Sequence, residues 1–326
     1  PPIGDMVAIN DYQIAAKNYL QTKDYVYYRT ASLGETTYIE NMEIWNKIIL
    51  NKYLFNQVTT TRLDSTVLGY NFSAPFFIAP AAQAGRANSQ AEANLVKAAG
   101  DAGILYVPSI SSTLSIEQIA NAATQGQVMF HQQYMWDDRT RLRNELKRIK
   151  AAGFKAIFVT VDNMGIQGLR DRNERVSTSS ESAHKDAFTL ETLAELRTMT
   201  DLPIVPKGLT SALDIKRCAD LGLKAVYVSN HGGRQVDNMP TAVEVLLDLH
   251  SQYPEVFNQL EIYADGGVRH GTHVLMLLAL GVRAVGLGRP FMFANIYGRE
   301  GVAKMINKLR LEMETSMRNI GQGVLD

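Results

Sequence analysis

The segment SNHGGRQ, residues 229–235, joins the imidazole of His231 to the guanidinium of Arg234 through two glycines. Histidine exchanges a proton near neutral pH, and an arginine fork holds a carboxylate in two parallel hydrogen bonds. The pair therefore suits acid–base work on an anionic ligand. A carboxylate such as Asp162, at the end of the run AIFVTVD, would fix the imidazole tautomer and favour its protonated form. Two further turns, ADGGVRHG and GLGRP, combine glycine backbone with Arg269 and Arg289 and would cradle a phosphate. Lys207, closing PIVPKG, reads as a Schiff-base lysine, an anion contact or a snorkelling surface lysine. The other histidines, His131, His184, His250, His270 and His273, read as ordinary surface or helix-facing residues.

Groups so far apart in the chain need a scaffold that gathers strand ends. From Phe76 onward, eight short apolar runs alternate with amphipathic helical segments: FFIAP, ILYVPS, VMFHQQY, AIFVTVD, PIVPKG, AVYVSNHG, EIYADGG and AVGLGRP. Eight such units in series predict a closed TIM (β/α)8 barrel, with a doubly wound open sheet as the alternative. Glycines in KAAGDAG, KAAGF and ADLGL stand where helix C-caps belong. Strand parity puts Gln132 and Tyr134 on the face of Phe130, Thr160 and Asp162 on that of Phe158, and His231 with Ser229 on that of Tyr227. All lie at the C-terminal ends of their runs, the catalytic face of TIM barrels, although any one alone reads equally well as an ordinary strand-end residue.

The chain reads as one domain over 1–326, with 1–75 an N-terminal cap and 76–326 the barrel. The cap shows helical patterns at DYQIAAKNYL and ETTYIENMEIWNKII, followed by an extended stretch through TTTRLDSTVLGY. The serine-rich stretch RNERVSTSSESAHKDAF reads as a mobile loop over the site. Lysine plus arginine equals aspartate plus glutamate at 33 each, which gives no nucleic-acid footprint and points to a small ligand. The single cysteine, Cys218, excludes an internal disulfide and a cysteine-rich metal site, and reads as a packing residue. Apolar runs fall far short of the roughly 20 residues of a membrane span, and the start lacks signal-peptide character, which together predict a soluble cytoplasmic protein.

At SNHGGRQVD, TVD, HQQY, PKG, ADGGVRHG and GLGRPF the sequence resembles the FMN-dependent family that oxidises α-hydroxy acids, over nearly the whole chain. The segment YVYYRTAS is similar to that family's tyrosine pair. The resemblance implies that His231 is the active-site base, polarised by Asp162, and that Arg234 binds the substrate carboxylate. Tyr134 would hydrogen-bond the substrate hydroxyl, Tyr27 would contact the carboxylate, and Arg170 matches the arginine of the loop after the fourth strand. It further places Ala79, Pro80, Ala81, Ala82, Ser109, Gln132, Thr160 and Ser229 around the flavin, with Lys207 near its N1/O2 edge. Asp265, Gly266, Gly267, Arg269, Gly288 and Arg289 would hold the ribityl chain and phosphate. The implied activity converts an (S)-2-hydroxy acid to the 2-oxo acid, with oxygen or another acceptor taking the electrons. Ser111 and Ala82 leave room for a side chain of lactate size or larger. A homotetramer follows from the same resemblance, as does the possibility of a peroxisomal location. The competing readings are a flavin- or phosphate-binding barrel without turnover, and another FMN barrel enzyme acting on a phosphorylated substrate.

Overall fold

A computed structural model describes residues 1–162 and 188–325. Three helices open the chain, α1 (Ile9–Tyr19), α2 (Thr22–Arg29) and α3 (Thr36–Glu43). The stretch expected to be extended is an antiparallel hairpin, β1 (Ser65–Val67) and β2 (Tyr70–Phe72). Its turn is tight because Leu68 and Gly69 both adopt positive φ, 49° and 80°. The Leu68 amide donates to the carboxylate of Glu261 at the start of a barrel strand, so the hairpin closes the barrel end opposite the strand C-termini.

Each of the eight apolar runs contains a barrel strand. They are β3 (Phe76–Ile78), β4 (Leu105–Tyr106), β5 (His131–Tyr134), β6 (Ile157–Thr160), β7 (Ile204–Leu209), β8 (Ala225–Val228), β9 (Glu261–Ala264) and β10 (Ala284–Leu287). The order β4-β3-β10-β9-β8-β7-β6-β5 is parallel throughout. Parallel bridges Tyr106↔Met129 and Ser109↔Gln132 join the two ends of that row and close it into a ring, so the open-sheet alternative is excluded. The helices between strands are α4 (Glu92–Ala102), α5 (Ile116–Ala122), α6 (Arg139–Ala151), α7 (Leu190–Arg197), α8 (Ala212–Asp220), α9 (Ala242–Gln252) and α10 (Gly271–Ala279). Helices α11 (Arg289–Ala294) and α12 (Gly298–Ile320) complete the chain.

The helices start where their sequences supply caps. Ser115 and Gln118 form a capping box on α5, Thr241 and Glu244 form one on α9, and Asp138 accepts from two amides at the start of α6. They stop at the expected glycines, Gly103, Gly153 and Gly222, all at positive φ.

Inside the barrel the inward parity of the strands supplies Phe77, Phe130, Phe158, Tyr227 and Tyr263, all fully buried. Their rings meet in edge and stacked contacts, with Phe158 5.4 Å from Tyr227 and 5.7 Å from Tyr263. Burying one such ring stabilises the fold by about 2 kcal/mol. This layer is the floor on which the polar strand ends stand. The opposite parity, with Phe76, Ile78, Ile157 and Val159, packs outward against the helices, where Cys218 is also buried with its thiol pushed up to about 12 by burial. Among the described residues, no helix is long and apolar enough to cross a membrane.

Candidate active site

Above the aromatic floor, at the C-terminal ends of the strands, lies a cavity of about 760 Å³, in the range of ordinary ligand sites. The residues singled out in the sequence converge on it. Ala79 to Ala82, Ser109, Gln132, Tyr134, Thr160, Lys207, His231, Arg234, Asp265, Gly266, Gly267, Arg269, Gly288, Arg289 and Tyr27 all line its wall. Asp162 and Ser229 stand one layer behind, touching wall residues rather than the cavity. Arg170 and the serine-rich loop lie outside the described residues.

The acid–base pair is built from β6 and β8. His231 Nδ1 is 3.1 Å from both carboxylate oxygens of Asp162, and the His231 amide donates to Ser229 Oγ at 3.0 Å. His231 takes a left-handed backbone, φ 58°, which swings its ring over the barrel mouth. Space for Asp162 comes from Gly208 in the β7 bulge, at φ 110°, where any Cβ would fall 2.6 Å from the Asp162 side chain. Burial alone would raise the Asp162 carboxyl, but the His231 ring and the Lys207 ammonium outweigh it, and its pKa lies below the ordinary value. The His231 pKa is also lowered, first by burial and then by Lys207 and Arg234, against the pull of Asp162. Asp162 thus favours the protonated ring, as expected, but burial and the two neighbouring cations outweigh it. The resting pair is carboxylate and neutral imidazole, with the Nδ1 proton given to Asp162. Nε2 keeps its lone pair and has no protein partner among the described residues.

Gln132 links three strands. Its carbonyl accepts from Ser109 Oγ at 2.9 Å and its amide donates to Thr160 Oγ1 at 2.9 Å. These bonds hold its side chain flat across one wall. Lys207, only 4% exposed, reaches Ser229 Oγ at 3.4 Å and lies 5.2 Å from the Tyr227 ring centre. Of the readings open for Lys207, this settles against a surface lysine.

The arginines differ sharply in their partners. Arg234 Nη2 donates to the Tyr27 carbonyl at 3.3 Å, and the guanidinium lies 5.4 Å from the Tyr27 ring centre. Arg289 instead donates to the carbonyls of Tyr28, Gly232 and Thr30, at 2.9, 2.9 and 3.1 Å. Arg269, 5% exposed, donates to its neighbour's carbonyl at Val268. Burial and the adjacent Arg234, Arg269 and Arg29 bring the Arg289 pKa down to about 9. Such crowding of cations is relieved by an anion placed among them.

Some site-building residues were not apparent in the sequence, because their partners lie some 200 positions away. Helix α3 wedges against the turn after β9: a Cβ on Gly267 would fall 1.7 Å from the Asn41 carbonyl, so the close approach requires glycine there. Asn41 and Asn230 exchange two side-chain hydrogen bonds, at 2.8 and 2.9 Å. Asp237, at the end of SNHGGRQVD, accepts from the amides of Thr36 and Thr37 and caps α3. His273, taken as an ordinary helix residue, accepts from the Arg269 amide at 3.2 Å and stacks on Trp45 at 4.6 Å. Trp45 in turn donates to the Gly267 carbonyl. The cap segment thus fixes both cationic turns of the cavity. Arg86, also missed, lines the wall beside Tyr27.

Fold and site together define a TIM-barrel protein that sets an acid–base pair beside a cationic, glycine-lined cleft for an anionic cofactor. The chain belongs to the FMN-dependent dehydrogenase family, which matches it over residues 16–186 and 175–326. It is 32% identical over 344 residues to the L-lactate dehydrogenase (cytochrome) of Wickerhamomyces anomalus, covering 98% of this chain and 60% of that protein. The chain thus spans about three fifths of the length of that relative. Glycolate oxidase 3 of Oryza sativa subsp. indica is 32% identical, with 95% of this chain and 91% of that one covered. Human 2-hydroxyacid oxidase 1 is 31% identical, with coverage of 96% and 92%. Among solved structures, the flavin-binding domain of baker's yeast flavocytochrome b2 superposes with a TM-score of 0.94 at 32% identity, covering all of this chain and 85% of that one. A mandelate oxidase structure gives 0.89 at 29% identity, covering 98% and 96%.

FMN, the cofactor of the family, fits the residues present. Arg269 and Arg289 form a cationic cluster suited to its phosphate, and the buried Asp265 Oδ1 has no partner among the described residues and would accept from a ribityl hydroxyl. The small residues Ala79 to Ala82 leave one wall open to a flat ring.

Proposed function

We propose that this chain oxidises an (S)-2-hydroxy acid to the corresponding 2-oxo acid. The observation that carries this reading is the His231–Asp162 pair, 3.1 Å apart on both carboxylate oxygens, whose imidazole lines the same cavity as Arg234. FMN, when bound, supplies the acceptor for the two electrons. Arg234 grips the substrate carboxylate, so the α-carbon is presented in a fixed geometry rather than by random collision. His231 Nε2 takes a proton from the substrate, either from the α-carbon or from the hydroxyl, and Asp162 stabilises the imidazolium that results. Tyr134 and Tyr27 orient the hydroxyl and carboxylate ends. Lys207, buried beside Ser229, supplies positive charge to the flavin side of the cavity.

A barrel that only stores flavin has no use for an imidazole held neutral against a buried carboxylate. A phosphorylated substrate would need a second phosphate site apart from the Arg269–Arg289 cluster. The reading extends to oxygen or another protein as final acceptor, and to a homotetramer in the cytoplasm or in peroxisomes. The peroxisomal alternative is supported by the 31% identity to a protein of Arabidopsis thaliana named peroxisomal (S)-2-hydroxyacid oxidase.

The test is to load the protein with FMN and mix it anaerobically with lactate, glycolate, mandelate and longer 2-hydroxy acids. Bleaching of the flavin absorbance by at least one of them is expected. A protein that takes up no FMN, or stays yellow with all of them, overturns the proposal. Peroxide released on readmitting air identifies oxygen as the acceptor.

A further inference from the structure

The substrate end of the cavity carries a second guanidinium that the acid–base chemistry does not use. Arg86 sits at the end of a short turn after β3, Ala84–Arg86, and lines the same wall as Tyr27 and Arg234. Its guanidinium carbon lies 4.5 Å from the centre of the Tyr27 ring, and that of Arg234 lies 5.4 Å from the same centre. The two guanidinium groups are therefore no more than about 10 Å apart, each in cation–π contact range of one shared tyrosine.

Arg86 is held in place rather than left to wander. Nη1 donates to Asp24 at 2.6 Å, and Nε donates to Gln83 Oε1. Its turn is pinned by Glu92, a fully buried carboxylate that accepts from the amides of Ala84, Thr113 and Leu114 at 3.1, 2.8 and 3.0 Å. Gln83 is fixed from the other side, where Tyr28 Oη donates to its carbonyl at 2.6 Å. These contacts occupy Nε and Nη1 and leave Nη2 with no protein acceptor among the described residues. Asp24 does not line the cavity, whereas Arg86 and the adjacent Lys23 do, so the face shown to a ligand is cationic. An apolar substrate side chain would gain nothing from a partly exposed guanidinium at its far end.

We infer that Arg86 is a specificity determinant that receives a second carboxylate, so that the preferred substrates are 2-hydroxy diacids. This rests on the reading of Arg234 as the clamp for the first carboxylate. With Arg234 holding the carboxylate next to the reacting carbon, Arg86 receives the terminal one across the face of Tyr27. Ser111 and Ala82, both small and both on the cavity wall, leave the intervening space for the connecting carbons.

The test compares diacids with monoacids of equal chain length on the FMN-loaded protein: malate with 2-hydroxybutyrate, and 2-hydroxyglutarate with 2-hydroxypentanoate. The wild type is expected to favour the diacid of each pair in kcat/KM. In Arg86→Met the ratio of diacid to monoacid is expected to fall by roughly 10- to 100-fold, the effect of losing one charge-assisted hydrogen-bonding partner. Arg86→Lys should restore part of that ratio, which a packing role would not do. Equal losses on both members of each pair, or a wild type that favours the monoacids, overturn the inference. Binding is read separately through the perturbation of the flavin spectrum by 2-oxoglutarate and 2-oxopentanoate. If no 2-hydroxy acid bleaches the flavin, the oxidation reading fails alone; if 2-oxoglutarate binds no more tightly than 2-oxopentanoate, and Arg86→Met does not change that, the role of Arg86 fails.

Discussion

The turn after β8 and the turns after β9 and β10 are both rich in glycine and arginine, yet they handle charge in opposite ways. At the β8 turn the charges are balanced within the protein: the Asp162 carboxylate is offset by the Lys207 ammonium and faces a neutral His231 imidazole. At the other turns Arg269 and Arg289 crowd each other with Arg29 and Arg234 close by, and burial depresses both. A self-balanced site is ready to move a proton. A site with unbalanced charge is ready to hold an anion, and it gains stability when the anion arrives. The same residue type therefore does two jobs, with Arg289 bound to three backbone carbonyls and Arg234 to one.

That contrast can be broken by exchanging one side chain at each end. Arg234→Met is expected to lower kcat/KM for a 2-hydroxy acid by about 10³-fold, from lost anchoring and orientation. Its unfolding free energy in urea should stay within about 1 kcal/mol of the wild type. Arg289→Met should do the reverse, with the apoprotein losing about 3 kcal/mol because three carbonyls lose their donor. A loss confined to turnover in Arg289→Met, or to stability in Arg234→Met, would erase the distinction.

Asp162→Asn sharpens the β8 side. The carboxylate raises the His231 pKa, so its removal should move the acid limb of the kcat/KM profile to lower pH and reduce the plateau by about 10²-fold. An acid limb that shifts upward would contradict the assigned pair.

The smallest effect concerns histidines outside the chemistry. His131 is buried with neither ring nitrogen bonded among the described residues, and burial brings its pKa down to about 3; burial and the neighbouring His270 bring His273 to about 4. Both are depressed in the folded state, so the unfolded chain binds their protons first. Stability is complete above about 6.5 and falls as pH drops below it, levelling off only near the folded values. Each contributes a slope of up to about 1.4 kcal/mol per pH unit. His131→Leu should flatten the pH dependence of the urea midpoint between 6 and about 4; an unchanged slope would show that His131 titrates normally.

What could be read in the sequence was whatever depends on local periodicity. Strand parity placed Phe130, Phe158 and Tyr227 inside the barrel and carried Gln132, Thr160 and His231 to the mouth. It could not show how the cap segment docks, because Asp237 meets Thr36 and Thr37, and Gly267 meets Asn41, only after the chain has closed on itself. Arg86 lay hidden for the same reason. In the run QAGRANSQ it looks like any exposed arginine, and its value comes from Tyr27 and Asp24, some sixty positions earlier. The pull of Asp162 on His231 was legible, but the net direction of the His231 pKa was not, because burial and the Lys207 charge act on the same ring.

The most direct measurement is the anaerobic rate of flavin reduction in wild type and His231→Asn, both loaded with FMN and mixed with the best 2-hydroxy acid. The variant should keep its yellow colour and its affinity for FMN, while reduction slows by at least about 10³-fold. Reduction at the wild-type rate would contradict the role given to His231 and, with it, the chemistry assigned to this cavity.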